Sequence, residues 1–110
     1  MMRMQEEVTK IHVRESLFDY IVTLSDATRN HPDLERGASP RATLALTAMA
    51  KAYAYMNNRQ IVMPEDVQAV FVSVMSHRLL LTPDAEFNDI NTVDIAKEIV
   101  NKTIIPRTNR

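Results

Sequence analysis

Apolar residues recur at helical spacing in four separate stretches of the chain. From Arg14 to Arg29, the residues Leu17, Tyr20, Ile21, Leu24, Ala27 and Thr28 fall on one stripe, which predicts an amphipathic helix. Ser16 is its candidate cap, and His31-Pro32 ends it, because proline cannot donate an amide and disfavours helical geometry in the residue before it. After a loop from Asp33 to Ser39, a second helix is expected from Pro40 to Met56. It carries Leu44, Leu46, Ala48, Met49, Ala52 and Tyr53, with alanine on most other faces. A helix apolar all round belongs in the middle of a fold. Asn57-Asn58 closes it, since asparagine tolerates the left-handed conformation common at helix ends.

The third helix opens with Pro64 in the first position and Glu65-Asp66 in the first turn, where carboxylates meet exposed amides. Val67, Val70, Phe71, Val74 and Met75 form its buried stripe; it is expected to end near His77 to Leu80, and Thr82-Pro83 breaks the chain. A last helix begins near Thr92, uses Val93, Ala96, Ile99 and Val100, and stops before Pro106. Ile61-Val62 is a candidate for a brief extended pairing with Ile11 to Val13. The expectation is therefore an all-α fold, a small four-helix bundle with a minor β pairing. Residues 1–10 read as a frayed remnant of a longer chain, 11–106 as the helical domain and 107–110 as a tail.

Composition narrows the partners. With 110 residues the chain fits one hydrophobic core, and a single glycine suits helices joined by turns built on proline and asparagine. The net charge of -1 offers no general basic field for nucleic acid or an anionic membrane. Apolar runs such as Leu79 to Leu81 are far shorter than the roughly 20 residues that span a bilayer. The absence of cysteine excludes disulfides and thiolate zinc sites. A cytoplasmic protein is expected, with neither nucleic acid nor membrane as partner.

The segment with chemistry is Gly37-Ala38-Ser39-Pro40-Arg41-Ala42. Gly37 permits backbone angles closed to other residues, Ser39 is a strong N-cap, and Pro40 is preorganised for the first helical position. Arg41 then sits in the first turn, where a cation opposes the helix dipole at a cost of about 0.3–1 kcal/mol. Two readings of it stand side by side: a guanidinium bent back into water, or one that joins the helix N-terminus in holding a phosphoryl group.

This segment resembles the sensor-2 motif of MoxR-type AAA+ ATPases, and the resemblance runs on along the chain. Tyr20-Ile21-Val22 through Ala27-Thr28-Arg29 is similar to the first helix of the family's C-terminal lid. Asn58-Arg59 to Ile61-Val62, Pro64-Glu65-Asp66-Val67 and Val74 to His77-Arg78-Leu79 resemble its later segments, and Ile104-Ile105-Pro106 its end. Asn58 stands where the family usually has glycine, which keeps the left-handed option. Met63 stands where threonine would cap the third helix, so that helix should be less well capped by about 1 kcal/mol.

The resemblance implies that Arg41, with Ser39 and Pro40 beside it, faces the phosphates of ATP bound with magnesium in an upstream α/β domain. It further implies a ring, a hexamer, with neighbouring subunits, an accessory or client protein, and a chaperone-like remodelling role. The chain has no phosphate-binding loop of its own, so neither a bound cofactor nor hydrolysis is expected of this fragment. His12, His31 and His77 share no ligand spacing, and no metal is expected. Met49, Met56 and Met75 read as packing residues, and Arg29, Arg36, Arg59 and Arg78 as solvated or ion-paired arginines. An alternative of another class is a histone-fold-like module that dimerises and binds DNA, or a generic helical scaffold that binds protein; the near-neutral charge counts against DNA.

Overall fold

Ala42, Leu46, Ala50 and Ala54 lie four residues apart and are all essentially inaccessible, so helix α2 (Pro40–Met56) turns one narrow line of small side chains inward. Alanine at such a line lets a neighbouring helix approach closely, and helix α3 (Pro64–Met75) makes the most extensive packing in the molecule against it. Phe71, Val67, Val70 and Met75 of α3 fill the centre. The computed structural model describes residues 10–105, and around this pair it places α1 (Glu15–Arg29), the short helix α4 (Pro83–Phe87) and α5 (Thr92–Lys102). Leu17, Tyr20, Ile21 and Leu24 from α1, and Ile95, Ala96 and Ile99 from α5, close the core.

Two short pairings stitch the bundle. Strand β1 (Leu34–Arg36) runs antiparallel to β2 (Leu80–Leu81), with Leu34 opposite Leu81 and Arg36 opposite Leu80. A parallel bridge joins His12 to Ile61: the His12 amide donates to the Gln60 carbonyl and the Val62 amide to the His12 carbonyl. The latter is the pairing expected from sequence.

The all-α fold with minor β structure is as expected, with corrections of detail. Ser16 does not cap α1; Arg14 holds the N-cap position without a side-chain cap bond. α3 stops at Met75 rather than near His77 to Leu80. Thr82-Pro83 does not merely break the chain but starts α4, the Thr82 hydroxyl accepting from the Ala85 amide and Pro83 occupying the first position. Asn58 adopts the left-handed conformation at φ 62°, as does Asp89 at φ 60°. α5 ends at Lys102; the expectations for Pro106, for the remnant up to Thr9 and for the tail fall outside the described residues.

The largest correction concerns α2. It is apolar all round yet not enclosed: Leu44, Met49 and Met56 are exposed, Tyr53 partly so, while Met75 alone of the three methionines read as packing is buried. α2 lies at the edge of the bundle with an apolar outer face.

α3 has an unusual beginning. Met63 offers no side-chain cap, and the fully buried Asp66 carboxylate compensates by accepting from the Met63 amide and from Arg59. The backbone amide at Asp66 donates to the Met63 carbonyl at 2.9 Å. Restoring a hydroxyl by Met63→Thr is expected to raise the free energy of unfolding by about 0.5–1 kcal/mol in chemical denaturation; an unmoved midpoint would mean that Asp66 already does the whole task.

α5 is tied to the loop after α1 through Glu98. The Lys102 ammonium at 2.8 Å, and then the His31 imidazole at 2.9 Å, hold the Glu98 carboxyl down at about 2 from its usual 4.5. The Asp33 amide donates to His31 Nδ1, so the neutral ring carries its proton on Nε2 and donates it to Glu98. A depressed carboxyl stabilises the fold above its ordinary range and loses that contribution as pH falls toward the folded value. The melting temperatures of the wild type and Glu98→Gln should therefore converge as the pH is lowered from about 5 toward 2, and a constant gap over that interval would contradict the assignment.

Candidate functional site

The first turn of α2 is assembled by the last turn of α1. Thr28 is buried, and its hydroxyl accepts from the Ala38 amide at 2.8 Å while donating to the Ser25 carbonyl at 2.6 Å. Arg29 Nε donates to the Ala38 carbonyl at 2.8 Å, and its Nη1 pairs with Asp26 at 2.6 Å. Both hydrogen-bonding groups of one peptide residue are thus held by two consecutive residues of α1. Gly37 is needed here for closeness rather than for unusual angles. It does not adopt positive φ; instead a Cβ at this position would lie 2.5 Å from the Thr28 carbonyl carbon and 2.6 Å from the Arg29 nitrogen.

From that anchor the helix starts as its sequence dictates. Ser39 is the N-cap and accepts from the Ala42 amide at 3.1 Å, Pro40 follows in the first position, and the Thr43 amide returns to the Ser39 carbonyl. Pro40 has no N–H, which leaves the Arg41 amide as the first-turn donor without an acceptor among the described residues. Thr43 Oγ1 donates to Ser25 Oγ at 2.9 Å, a second tie between α2 and α1.

Arg41 itself is exposed, and no hydrogen bond or ion pair holds its guanidinium among the described residues. Its electrostatic setting differs from that of every other helix start among the described residues. α1, α3, α4 and α5 each have acidic residues in the first turn: Glu15; Glu65 and Asp66; Asp84 and Glu86; Asp94. α2 has none, and places a cation there instead. Its open N-terminus and Arg41 together form a local positive pole.

Beside this pole an apolar cleft of about 310 Å³ runs between α1 and α2, lined by Phe18, Val22 and Arg29 on one wall and Pro40, Thr43 and Leu44 on the other. A larger open depression of about 850 Å³ lies near Lys10, His12, Asn58 and Arg59. It adjoins the far end of α2, about 25 Å along the helix from Arg41, and has no part in the arrangement at the first turn.

Of the residues singled out from sequence, Ser39, Pro40 and Arg41 stand together as their order requires. The three histidines do not: His31 bonds Glu98, His12 lies at the parallel bridge, and His77 is exposed beyond α3. No grouping of three or more His, Cys, Asp or Glu residues suited to a metal occurs among the described residues. Arg36 and Arg78 are solvated and Arg59 is paired with Asp66. Arg29 is more than the surface pair expected of it, since its Nε points inward to Ala38. The available signal was the three-residue spacing from Asp26 to Arg29, with the only glycine in the chain eight residues further on.

Comparison with known proteins identifies the family. Residues 26–99, the stretch that holds the α1 anchor and the α2 start, match the family model of the AAA lid domain. The chain belongs to that family, in its MoxR branch. It is 36% identical over 103 residues to the uncharacterized protein YeaC of Bacillus subtilis, covering 94% of this chain and 32% of that protein. It is 33% identical to the chaperone MoxR1 of Mycobacterium tuberculosis, covering 99% of this chain and 31% of that protein. The solved structure of a candidate ATPase from Cytophaga hutchinsonii superimposes with a TM-score of 0.87 at 36% identity, over 93% of this chain and 34% of that one. The chain thus spans about a third of the length of these relatives. Membership in the lid family decides the fold against the histone-fold-like alternative. No helix among the described residues is long and apolar enough to cross a membrane.

In this AAA lid the approach at Gly37 is a sharp constraint, because the atoms it meets are backbone and cannot rotate away. Gly37→Ala is expected to lower the unfolding free energy by about 1–3 kcal/mol and to speed hydrogen exchange at the Ala38 amide. A variant with an unchanged denaturation midpoint and an equally protected Ala38 would show that the loop has slack.

Proposed function

We propose that this lid couples nucleotide state in an upstream ATPase domain to motion of a ring, through Arg41. The observation that carries the reading is a guanidinium unpartnered among the described residues, at the open N-terminus of a helix that lacks the first-turn acid present on every other helix among those residues. Left to itself this arrangement costs stability; an anion placed before it reverses the sign of the interaction. The γ-phosphate of ATP bound with magnesium is such an anion, and the nucleotide supplies the phosphoryl group to be transferred. Arg41, together with the Arg41 amide and the turn set by Ser39 and Pro40, holds charge that develops on the phosphoryl oxygens. Release of the phosphate removes the attraction, and the lid moves as a body.

The name of MoxR1 as a chaperone supports a remodelling role for the whole protein. In this reading residues 11–106 make up the lid and the catalytic centre lies in sequence that precedes it. The assembly is a ring, a hexamer, in the cytoplasm, with neighbouring subunits and an accessory or client protein as its partners. The exposed apolar side chains of α2 are available to such neighbours.

The test is Arg41→Ala in the full-length protein. Steady-state ATP hydrolysis should fall about 100-fold in kcat with the melting temperature of the lid preserved, as expected for an exposed side chain with no hydrogen bond or ion pair among the described residues. Undiminished turnover would remove Arg41 from the mechanism.

A further inference from the structure

No hydrogen bond or ion pair among the described residues aims Arg41, yet the turn that carries it is held in place at two points, on either side of it in the chain. We infer that Thr28 and Arg29 are positioning residues for Arg41, an assignment that rests on the coupling role proposed above. Neither touches the nucleotide in this scheme; they act by fixing the Ala38 peptide from which α2 departs.

The grip has three parts. The Ala38 N–H donates to the Thr28 hydroxyl, Arg29 Nε donates to the Ala38 carbonyl, and Gly37 lets the two backbones meet. Thr43, two residues after Arg41, is tied to Ser25 of the same helix. With both flanks attached to α1, the first turn of α2 can neither slide nor rotate about its axis independently of α1. The direction of the Arg41 side chain is therefore inherited from α1, and its reach toward an anion is preorganised by residues that precede it by more than ten positions.

The chemistry demands these residue types. Arg29 bonds a carbonyl through Nε and a carboxylate, Asp26, through Nη1 at the same time, from two nitrogens fixed in one plane, a geometry that the single nitrogen of an ammonium does not reproduce. Thr28 must accept one hydrogen bond and donate another, so an isosteric valine would leave the Ala38 N–H buried without a partner.

The experiment is a set of double-mutant cycles in the full-length protein. Arg29→Lys and Thr28→Val are each made alone and combined with Arg41→Ala, and ATP hydrolysis and melting temperature are measured for all. Each single substitution is expected to lower kcat about 10- to 100-fold with little change in KM. Neither should lower it further in the Arg41→Ala background, and Thr28→Ser, which keeps the hydroxyl, should restore turnover. A merely structural role would give the same fractional loss in both backgrounds, and that result overturns the assignment. So do single variants that turn over normally while Arg41→Ala does not. If Arg41→Ala itself is fully active, the coupling role falls and the positioning role with it, a failure separable from the first two. Should Thr28→Val not fold, the Arg29→Lys cycle decides alone, since that side chain is partly exposed and its loss leaves no buried hydroxyl or amide unpaired.

Discussion

Two hydrogen bonds to one residue, Ala38, fix the start of α2 against α1, and much of the molecule follows from that attachment. α2 supplies the line of small residues on which α3 packs, so an error in its starting position would be carried through the whole core. The energies involved explain why the attachment tolerates an unfavourable neighbour. A buried, satisfied hydrogen bond contributes on the order of 1 kcal/mol net, and leaving its partner unpaired costs about 1–3 kcal/mol. The Ser39 cap contributes on the order of 1 kcal/mol more. Against this the first-turn arginine costs about 0.3–1 kcal/mol. The hold on the turn outweighs the charge placed in it, and the fold keeps Arg41 where a helix would ordinarily carry an acid.

The same helix has two apolar surfaces with different fates. The inner one is alanine and Leu46, small enough to bring α3 close; the outer one carries Leu44, Met49 and Met56 in solvent. Each such side chain would contribute about 1.5–3 kcal/mol if fully covered, so the outer surface holds stabilisation that the lid alone does not realise. A helix of this composition leaves an apolar face that a neighbouring domain could cover.

Most of this was legible in the sequence where a local signal was unambiguous. Ser39-Pro40 and Asn57-Asn58 mark the ends of α2 by capping chemistry alone, and Pro64-Glu65-Asp66 marks the start of α3. Burial on α2 was not legible, because alanine, leucine and methionine on every face leave periodicity with nothing to contrast. α4 escaped notice because five residues are too few to show a period, and Thr82-Pro83 reads equally as a break or as a helix start. The anchor at Thr28 and Arg29 was hidden for another reason. A threonine on a buried stripe and an arginine near a helix end both have ordinary explanations, and only the fold brings them to Ala38, about ten residues away in the chain. From sequence Gly37 reads as a source of backbone freedom, whereas the constraint is the space its missing side chain leaves.

A ligand can shift a domain only by interacting differently with its two positions. For a flexible arginine on a flexible turn, a departing phosphate would release a side chain and little else. In this lid the turn is bonded to α1 on both sides of Arg41, and α2 is packed along its length on α3. In the coupling proposed above, the attraction between the guanidinium and an anion would be borne by the bundle as a unit, because the turn is fixed to α1 on both sides of Arg41. Such rigidity is what a single charge at a helix terminus would need in order to move a domain, and the side chains of α1 that bond Ala38 and Thr43 are what provide it.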